Sequence, residues 1–211
     1  MKFNYQIIKF FGPSIMKVEM PNDLVVRLNR YVDNIITDNK KKNSLNHGES
    51  LVGDVTEEFK LEEKFIRESE WGNFLAKCVH EWLKVELNKS ITNFSIKNSW
   101  IVRQFENEYN PLHLHSGHIS GAGFLKLPSF FGTTSQNKKT KDYFGGNLQL
   151  VHGNRMFLSN SIMNIKPKVG DFYFFPNYLM HCVFPFKGSK EERRSISFNA
   201  KIDDDIYNVY G

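Results

Sequence analysis

From Asn93 onward the sequence runs in short bursts of alternating side chains, and this constrains the fold more than any other feature. FSIKNSWIVRQF, HISGAGFLKL, GNLQLVHG, RMFL, SIMNIK, DFYFFP, MHCVFPF and RRSISFNAKI make eight strand-like runs. Asn110-Pro111, Gly145-Gly146, Gly153-Asn154, Val169-Gly170-Asp171 and Lys187-Gly188-Ser189 separate them with turn chemistry. Short strands of period two bury their apolar faces by packing sheet on sheet, so an antiparallel sandwich or jelly roll is expected. The 19 Phe residues supply aromatic bulk for such strands or for an apolar pocket wall.

The first 92 residues have a different texture. Residues 3–20 read as one or two strands around Gly12-Pro13. In NDLVVRLNRYVDNII, Leu24, Leu28, Tyr31, Val32 and Ile35 fall at helical spacing, with Asn22 or Asp23 as the cap. Residues 38–50 read as a polar loop, and Val52 to Leu61 as irregular or a short edge piece. One long helix is expected from about Glu62 to Asn88. Trp71, Leu75, Cys78 and Trp82 form its stripe, with Phe74, Val79, Leu83 and Leu87 beside it, a face broad enough to cover a sheet. The expectation is a single domain, 1–211, with residues 1–92 as helical support and 93–211 as the jelly-roll core. TTSQNKKTKDYFGG, 133–146, reads as a long polar insertion at a site mouth.

Several function classes recede. No run approaches the ~18 apolar residues of a membrane span. The N-terminal apolar patch is broken by Lys9 and Gly12-Pro13 and lacks a small-residue cleavage site, so a cytoplasmic protein is expected. The two cysteines, Cys78 and Cys182, are far apart, which argues against a disulfide framework or a thiolate zinc site. The net charge of +5 is diffuse apart from Lys40-Lys41-Lys42 and Lys138-Lys139, which read mainly as solvated loops and only secondarily as a surface for an anionic partner.

Three places carry potential chemistry. In HLHSGH, His113 and His115 would share one face of a strand, about 7 Å apart, and could converge on one metal ion. His118 would point the other way if the strand stayed regular, and Ser116-Gly117 makes an irregularity there expected. His181 emerges in the apolar run DFYFFPNYLMHCVFPF, a setting that favours the neutral, metal-binding imidazole. In ERRSISFNAKI, alternation places Arg193, Ser195, Ser197 and Asn199 on one face and Arg194, Ile196 and Phe198 on the other. The Arg193 fork suits a carboxylate, and Ser195 can add a hydroxyl. His47, His80 and His152 read as ordinary surface or core histidines.

Taken in order, His-x-His, Gly-Gly-x-Leu, Pro-x-x-Gly-Asp, an aromatic strand with His, and Arg-x-Ser resemble the 2-oxoglutarate- and Fe(II)-dependent oxygenase superfamily. NPLHLHSGHISGAGFLKLP (110–128), GGNLQL (145–150), KPKVGDFYFFPNYLMHCVFPF (166–186) and ERRSISFNAKID (192–203) carry the resemblance. It is closest to the prolyl-4-hydroxylase-like branch, and within it to oxygenases of bacteria and tailed phages with His-x-His followed by Ser-Gly. The resemblance implies a double-stranded β-helix, with N-terminal α-helices packed on one sheet. It implies Fe(II) on His113, His115 and His181, and 2-oxoglutarate anchored by Arg193 with Ser195. O2 would be the second cosubstrate, and ascorbate a candidate accessory reductant. One departure stands out: His115 occupies the place where the superfamily usually carries Asp or Glu. Either three imidazoles hold the iron, or one histidine does another job, with His118 as the substitute ligand.

The reaction implied is oxidative decarboxylation of 2-oxoglutarate coupled to hydroxylation, with Phe172, Phe174, Phe175 and Phe184 as the wall that excludes water. Trp100, Arg103, Tyr109 and His118 are candidates for facing the substrate. A protein side chain is favoured as that substrate, with nucleic acid or a small metabolite as the other classes. Two rival readings are a three-His cupin-type dioxygenase that uses no 2-oxoglutarate, and a non-catalytic jelly-roll module.

Overall fold

In the computed structural model, residues 3–9, 12–133 and 142–209 are described. The chain begins with β1 (Tyr5–Lys9) and β2 (Ser14–Glu19), followed by α1 (Asn22–Ile36) and α2 (Asn39–Ser44). Next come β3 (Glu57–Lys60), α3 (Glu63–Glu68) and α4 (Trp71–Leu87). The remainder is β4 (Phe94–Gln104), β5 (Asn110–His113), β6 (Ile119–Lys126), β7 (Leu148–Val151), β8 (Ile162–Ile165), β9 (Asp171–Pro176), β10 (Met180–Val183), β11 (Arg193–Ile202) and a terminal turn of helix, α5 (Asp204–Tyr207). A seven-stranded sheet runs β1-β2-β9-β6-β11-β4-β3, and a four-stranded sheet runs β5-β10-β7-β8, both antiparallel. This is a jelly roll. The segment before residue 93 is more than helical support, since β1, β2 and β3 extend the larger sheet at both edges.

Alternation sorts the core into two layers. Met16, Val18, Phe172, Phe174, Ile196 and Phe198 point outward from the larger sheet. They meet Leu24, Leu28 and Val32 of α1 and Trp71, Phe74, Leu75, Cys78 and Trp82 of α4. Their neighbours Ile15, Phe124, Tyr173 and Phe175 point inward, against Leu148, Leu150 and Ile165 of the smaller sheet. The buried indoles are satisfied: Trp71 Nε1 donates to Ser99 Oγ and Trp82 Nε1 to Ser14 Oγ, each at 3.0 Å. Arg194, on the outer face, ties β11 to α1 through Asn29 and Asp33, and Glu192 joins it to Arg103 and Lys126.

Several local expectations change. The helix expected from Glu62 to Asn88 is two helices, because the helical backbone is interrupted at Ser69–Glu70, where Glu70 takes φ 65°. Residues 39–44 form a short helix capped by the Asp38 carboxylate, and Gly48–Ser50 a 3-10 turn, where a loop was expected. Pro21 occupies the N-cap position of α1, with no side-chain cap from Asn22 or Asp23. RMFL is not a strand: Met156, Phe157 and Leu158 form an exposed turn between β7 and β8. The strand that carries His113, β5, was not among the runs singled out. Most of the polar insertion after Gly132 lies outside the described residues.

Candidate metal centre and its cavity

Three histidines converge where β5 pairs with β10 in the smaller sheet. His113 ends β5 and pairs directly across the ladder with His181 of β10. His115 lies just beyond β5, held by its backbone N–H on Asn177 O and by Asn177 Nδ2 donating to His115 O. Ring centroids are 4.3 Å apart for His113 and His181, 4.8 Å for His115 and His181, and 4.9 Å for His113 and His115. Their candidate ligand atoms all lie within 4.8 Å of one another, the sole such group of His, Cys, Asp or Glu among the described residues.

Local hydrogen bonds orient two of the rings. Nδ1 of His113 donates to Pro111 O at 2.6 Å, and Nδ1 of His181 donates to Leu179 O at 2.8 Å. Each Nε2 is thereby left with its lone pair free, which is how proteins set the tautomer of a ligating histidine. Nε2 of His181 and Nε2 of His115 approach to 3.1 Å. Two imidazoles that hold an ion at ~2.1 Å and subtend a right angle place their nitrogens about 3 Å apart, so the donor set fits a divalent transition metal. Burial pushes the His181 imidazole down to about 3 and His115 to about 4, and the neighbouring histidines push in the same direction. Burial also lowers His113. All three rings are therefore neutral at physiological pH, the form that binds metal.

The histidines open onto a cavity of about 240 Å³ between the two sheets. Its floor is the inner face of β4 and β11, and register explains its composition. Val102 pairs with Ser195, Trp100 with Ser197 and Asn98 with Asn199, and each pair points inward. Ala122, Leu148 and Val183 complete the apolar part. Arg193 is also in the wall, 2% exposed, with Nε donating to Gly146 O at 2.9 Å and Nη1 to Ser195 Oγ at 3.2 Å. Its guanidinium stacks over the Phe124 ring at 5.1 Å. Burial lowers its pKa to about 9, and among the described residues no carboxylate pairs with it. A buried cation with donors to spare and no counter-charge is a built anion site.

The other expected site residues divide. Trp100 lines the cavity and packs edge-on to His115 at 5.5 Å. Arg103 is on the opposite face of β4, bound to Glu57 and Glu192, because its position alternates with Val102. Tyr109 is half exposed outside the cavity, its backbone bridging Asp54. His118 does not join the cluster: its Nδ1 accepts from Ile202 N at 3.1 Å and its ring stacks on Tyr207 at 4.0 Å, lining a separate hollow beside α4. Of the expected phenylalanine wall, Phe175 lies 4.9 Å from His181, Phe184 faces Phe144, and Phe172 and Phe174 point away into the helix-covered layer. Sequence reading missed Glu58 and Asn98, which both line the cavity. A signal for Glu58 was present: consecutive residues of a strand point to opposite faces, so one of Glu57 and Glu58 has to face inward.

Residues 98–199 match the family described as "Putative 2OG-Fe(II) oxygenase". A comparison with curated protein sequences gives no match. Among solved structures, the chain resembles a Pseudomonas putida prolyl-4-hydroxylase at 14% identity and TM-score 0.57, covering 94% of this chain and 93% of that one. It resembles the viral collagen prolyl hydroxylase of Paramecium bursaria Chlorella virus-1 at 15% identity and TM-score 0.52, covering 93% and 94%. A prolyl hydroxylase of Trichoplax adhaerens, solved with a hypoxia inducible factor peptide fragment, matches at 15% identity and TM-score 0.53, covering 98% and 87%. At these identities the likeness is one of fold, while the family match spans the three histidines and Arg193. The cavity-forming part of the chain thus matches the model of the 2-oxoglutarate- and Fe(II)-dependent oxygenases, on a fold shared with the prolyl-4-hydroxylases.

Proposed function

We propose that this oxygenase holds one Fe(II) on His113, His115 and His181, anchors the distal carboxylate of 2-oxoglutarate on Arg193 and Ser195, and hydroxylates a side chain of a protein substrate. The observation that carries the reading is the combination in one cavity of three convergent imidazoles and a buried arginine without a carboxylate partner among the described residues. A cupin-type site without 2-oxoglutarate leaves Arg193 unexplained. The protein substrate is supported by the peptide-bound prolyl hydroxylase of the same fold.

When bound, the iron with 2-oxoglutarate supplies the oxidising chemistry: O2 is consumed, the oxoacid is decarboxylated to succinate and CO2, and a substrate C–H bond is hydroxylated. The chain's own residues bind, orient and dry the site. Pro111 O and Leu179 O fix the tautomers of His113 and His181. Arg193 and Ser195 present donors to one end of the cosubstrate, which sets its reach towards the histidines. Phe175 against His181 and Trp100 against His115 stop the rings from turning, and with Leu148, Val183 and Ala122 they keep water out.

The test is succinate production with Fe(II), 2-oxoglutarate and ascorbate by wild type, His181→Ala and Arg193→Ala. Loss of turnover in both variants is expected, with 2-oxoglutarate binding weakened about 10–100-fold in Arg193→Ala. Equal turnover in all three proteins removes the assignment. Anaerobic titration of the Fe(II) protein with 2-oxoglutarate should also give a metal-to-ligand charge-transfer band, which a site without the cosubstrate lacks.

A further inference from the structure

Glu58 is the one acidic residue among the described residues of the cavity wall, and it is 2% exposed. Its Oε2 is buried with no hydrogen-bond partner. Glu58 pairs with Val102, which pairs with Ser195, so all three side chains point to the same inner face. The Glu58 and Ser195 backbones stand two strands apart, about 10 Å. The cavity therefore contains a buried cation, Arg193, and a buried acid, Glu58, that form no ion pair with each other. Neither charge neutralises the other directly, although either burial is costly alone. Arg193 is accounted for by an anionic cosubstrate. Glu58 has no such role.

We propose that Glu58 is the specificity-determining residue of the cavity and takes the protonated amine or guanidinium of the substrate, so that the side chain presented to the histidines is a basic one. This deepens the reading of the cavity as an oxygenase site and rests on it. The surroundings of Glu58 point the same way. An added Cβ on Gly53 would lie 3.0 Å from Glu58 Oε1 and collide with Asn110 Oδ1, so at Gly53 the chain passes close to the carboxyl with no room for a side chain. Val52, half exposed, and Leu51 rim the opening beside it and suit an aliphatic stem. Trp100 is next along the wall, a ring that favours a cation near its face. Farther along β4, Asn98 Oδ1 is a second buried acceptor without a partner, four residues or about 13 Å from Val102. Two buried acceptors there lack donors, and among the described residues lining the cavity Arg193 is the one Lys or Arg side chain. Burial, and then Glu108, push the Glu58 carboxyl up to about 7, as expected for an acid kept without a counter-charge.

The experiment uses two probes of equal stem length, N-acetyl-lysine amide and N-acetyl-norleucine amide. They are titrated calorimetrically at pH 8 into the full chain, once metal-free and once with Fe(II) and 2-oxoglutarate without O2. The lysine probe is expected to bind at least about tenfold more tightly than the norleucine probe, and Glu58→Gln is expected to bring that ratio close to one. Equal binding of the two probes to wild type overturns the proposal, as does absence of lysine-probe binding, or a preference that survives in Glu58→Gln. If Glu58→Gln does not fold, judged by circular dichroism, the wild-type ratio decides alone. The charge-transfer band is recorded on the same loaded samples. Its absence defeats the oxygenase reading, while the probe ratio on metal-free protein still reports on Glu58.

Discussion

At the scale of single residues, His115 is the position where this site departs from the pattern of the superfamily it resembles. It brings a neutral ring where a carboxylate is usual, so in the proposed site the three protein ligands would cancel none of an ion's charge. The ring is nonetheless built in: its backbone is held by Asn177, Trp100 packs on it, and its Nε2 is 3.1 Å from that of His181. His115→Ala should weaken Fe(II) binding by at least about tenfold in competition with a chromophoric chelator. Unchanged affinity would leave only His113 and His181 as ligands. Glu58 makes a separate prediction about stability. Its carboxyl titrates near 7 in the folded chain against 4.5 for a free glutamate. Between those values the folded state binds more protons than the unfolded state, so this group's contribution is full below about pH 4.5 and is lost as pH rises through 7. Glu58→Gln should remove that decline. It should stabilise the ligand-free protein at pH 8 by on the order of 2 kcal/mol, after allowance for solvent screening. Urea unfolding across pH measures both, and a slope unchanged by the substitution would contradict it.

At the scale of elements, β6 shows how two layers share one strand. Gly121 and Gly123 lie on its outer face, where an added Cβ at Gly121 would come within 2.6 Å of Phe172 and 2.7 Å of Phe198. At Gly123 it would collide with the Phe172 ring and stand 2.9 Å from Asp171 O. The glycines let the rings of the helix-covered layer lie flat on the sheet, while Phe124 turns inward beneath Arg193. Gly123→Ala should therefore destabilise by about 1–3 kcal/mol, read as a lowered Tm, with no direct change at the histidines. The break between α3 and α4 has a different origin. Glu70 sits in the left-handed region, and its carboxylate accepts from Asn73 Nδ2 at 2.9 Å. The apolar spacing on both sides is helical, so a reading by periodicity joins the two helices across it. Likewise β5 is too short and too polar to stand out by alternation. It becomes a strand because β10 offers it a partner.

At the scale of the whole molecule, the proposed metal site joins strands that are remote in sequence, and ion binding there should be felt as global stability. Adding Fe(II) or Mn(II) anaerobically at about 100 times its Kd should stabilise the fold by about 2.7 kcal/mol. Thermal denaturation should show this, with a chelator reversing it and His181→Ala abolishing it. No shift in wild type would mean that the ion does not bind the folded state preferentially. Much of this architecture was legible beforehand. Period-two alternation determined the sandwich and sorted Arg193, Ser195, Ser197 and Asn199 from Arg194, Ile196 and Phe198, because a strand's two faces are dictated locally by the pleat. The late Arg-x-Ser was readable for the same reason, whereas the His-x-His pair was legible as a motif and not by alternation, since β5 ends at His113. Which strands lie side by side depends on long-range pairing, and no local period encodes it. Only that pairing placed His181 opposite His113, sent His118 to a different hollow, turned Arg103 out towards Glu57 and Glu192, and brought β3 from the N-terminal segment to set Glu58 in the wall of the cavity.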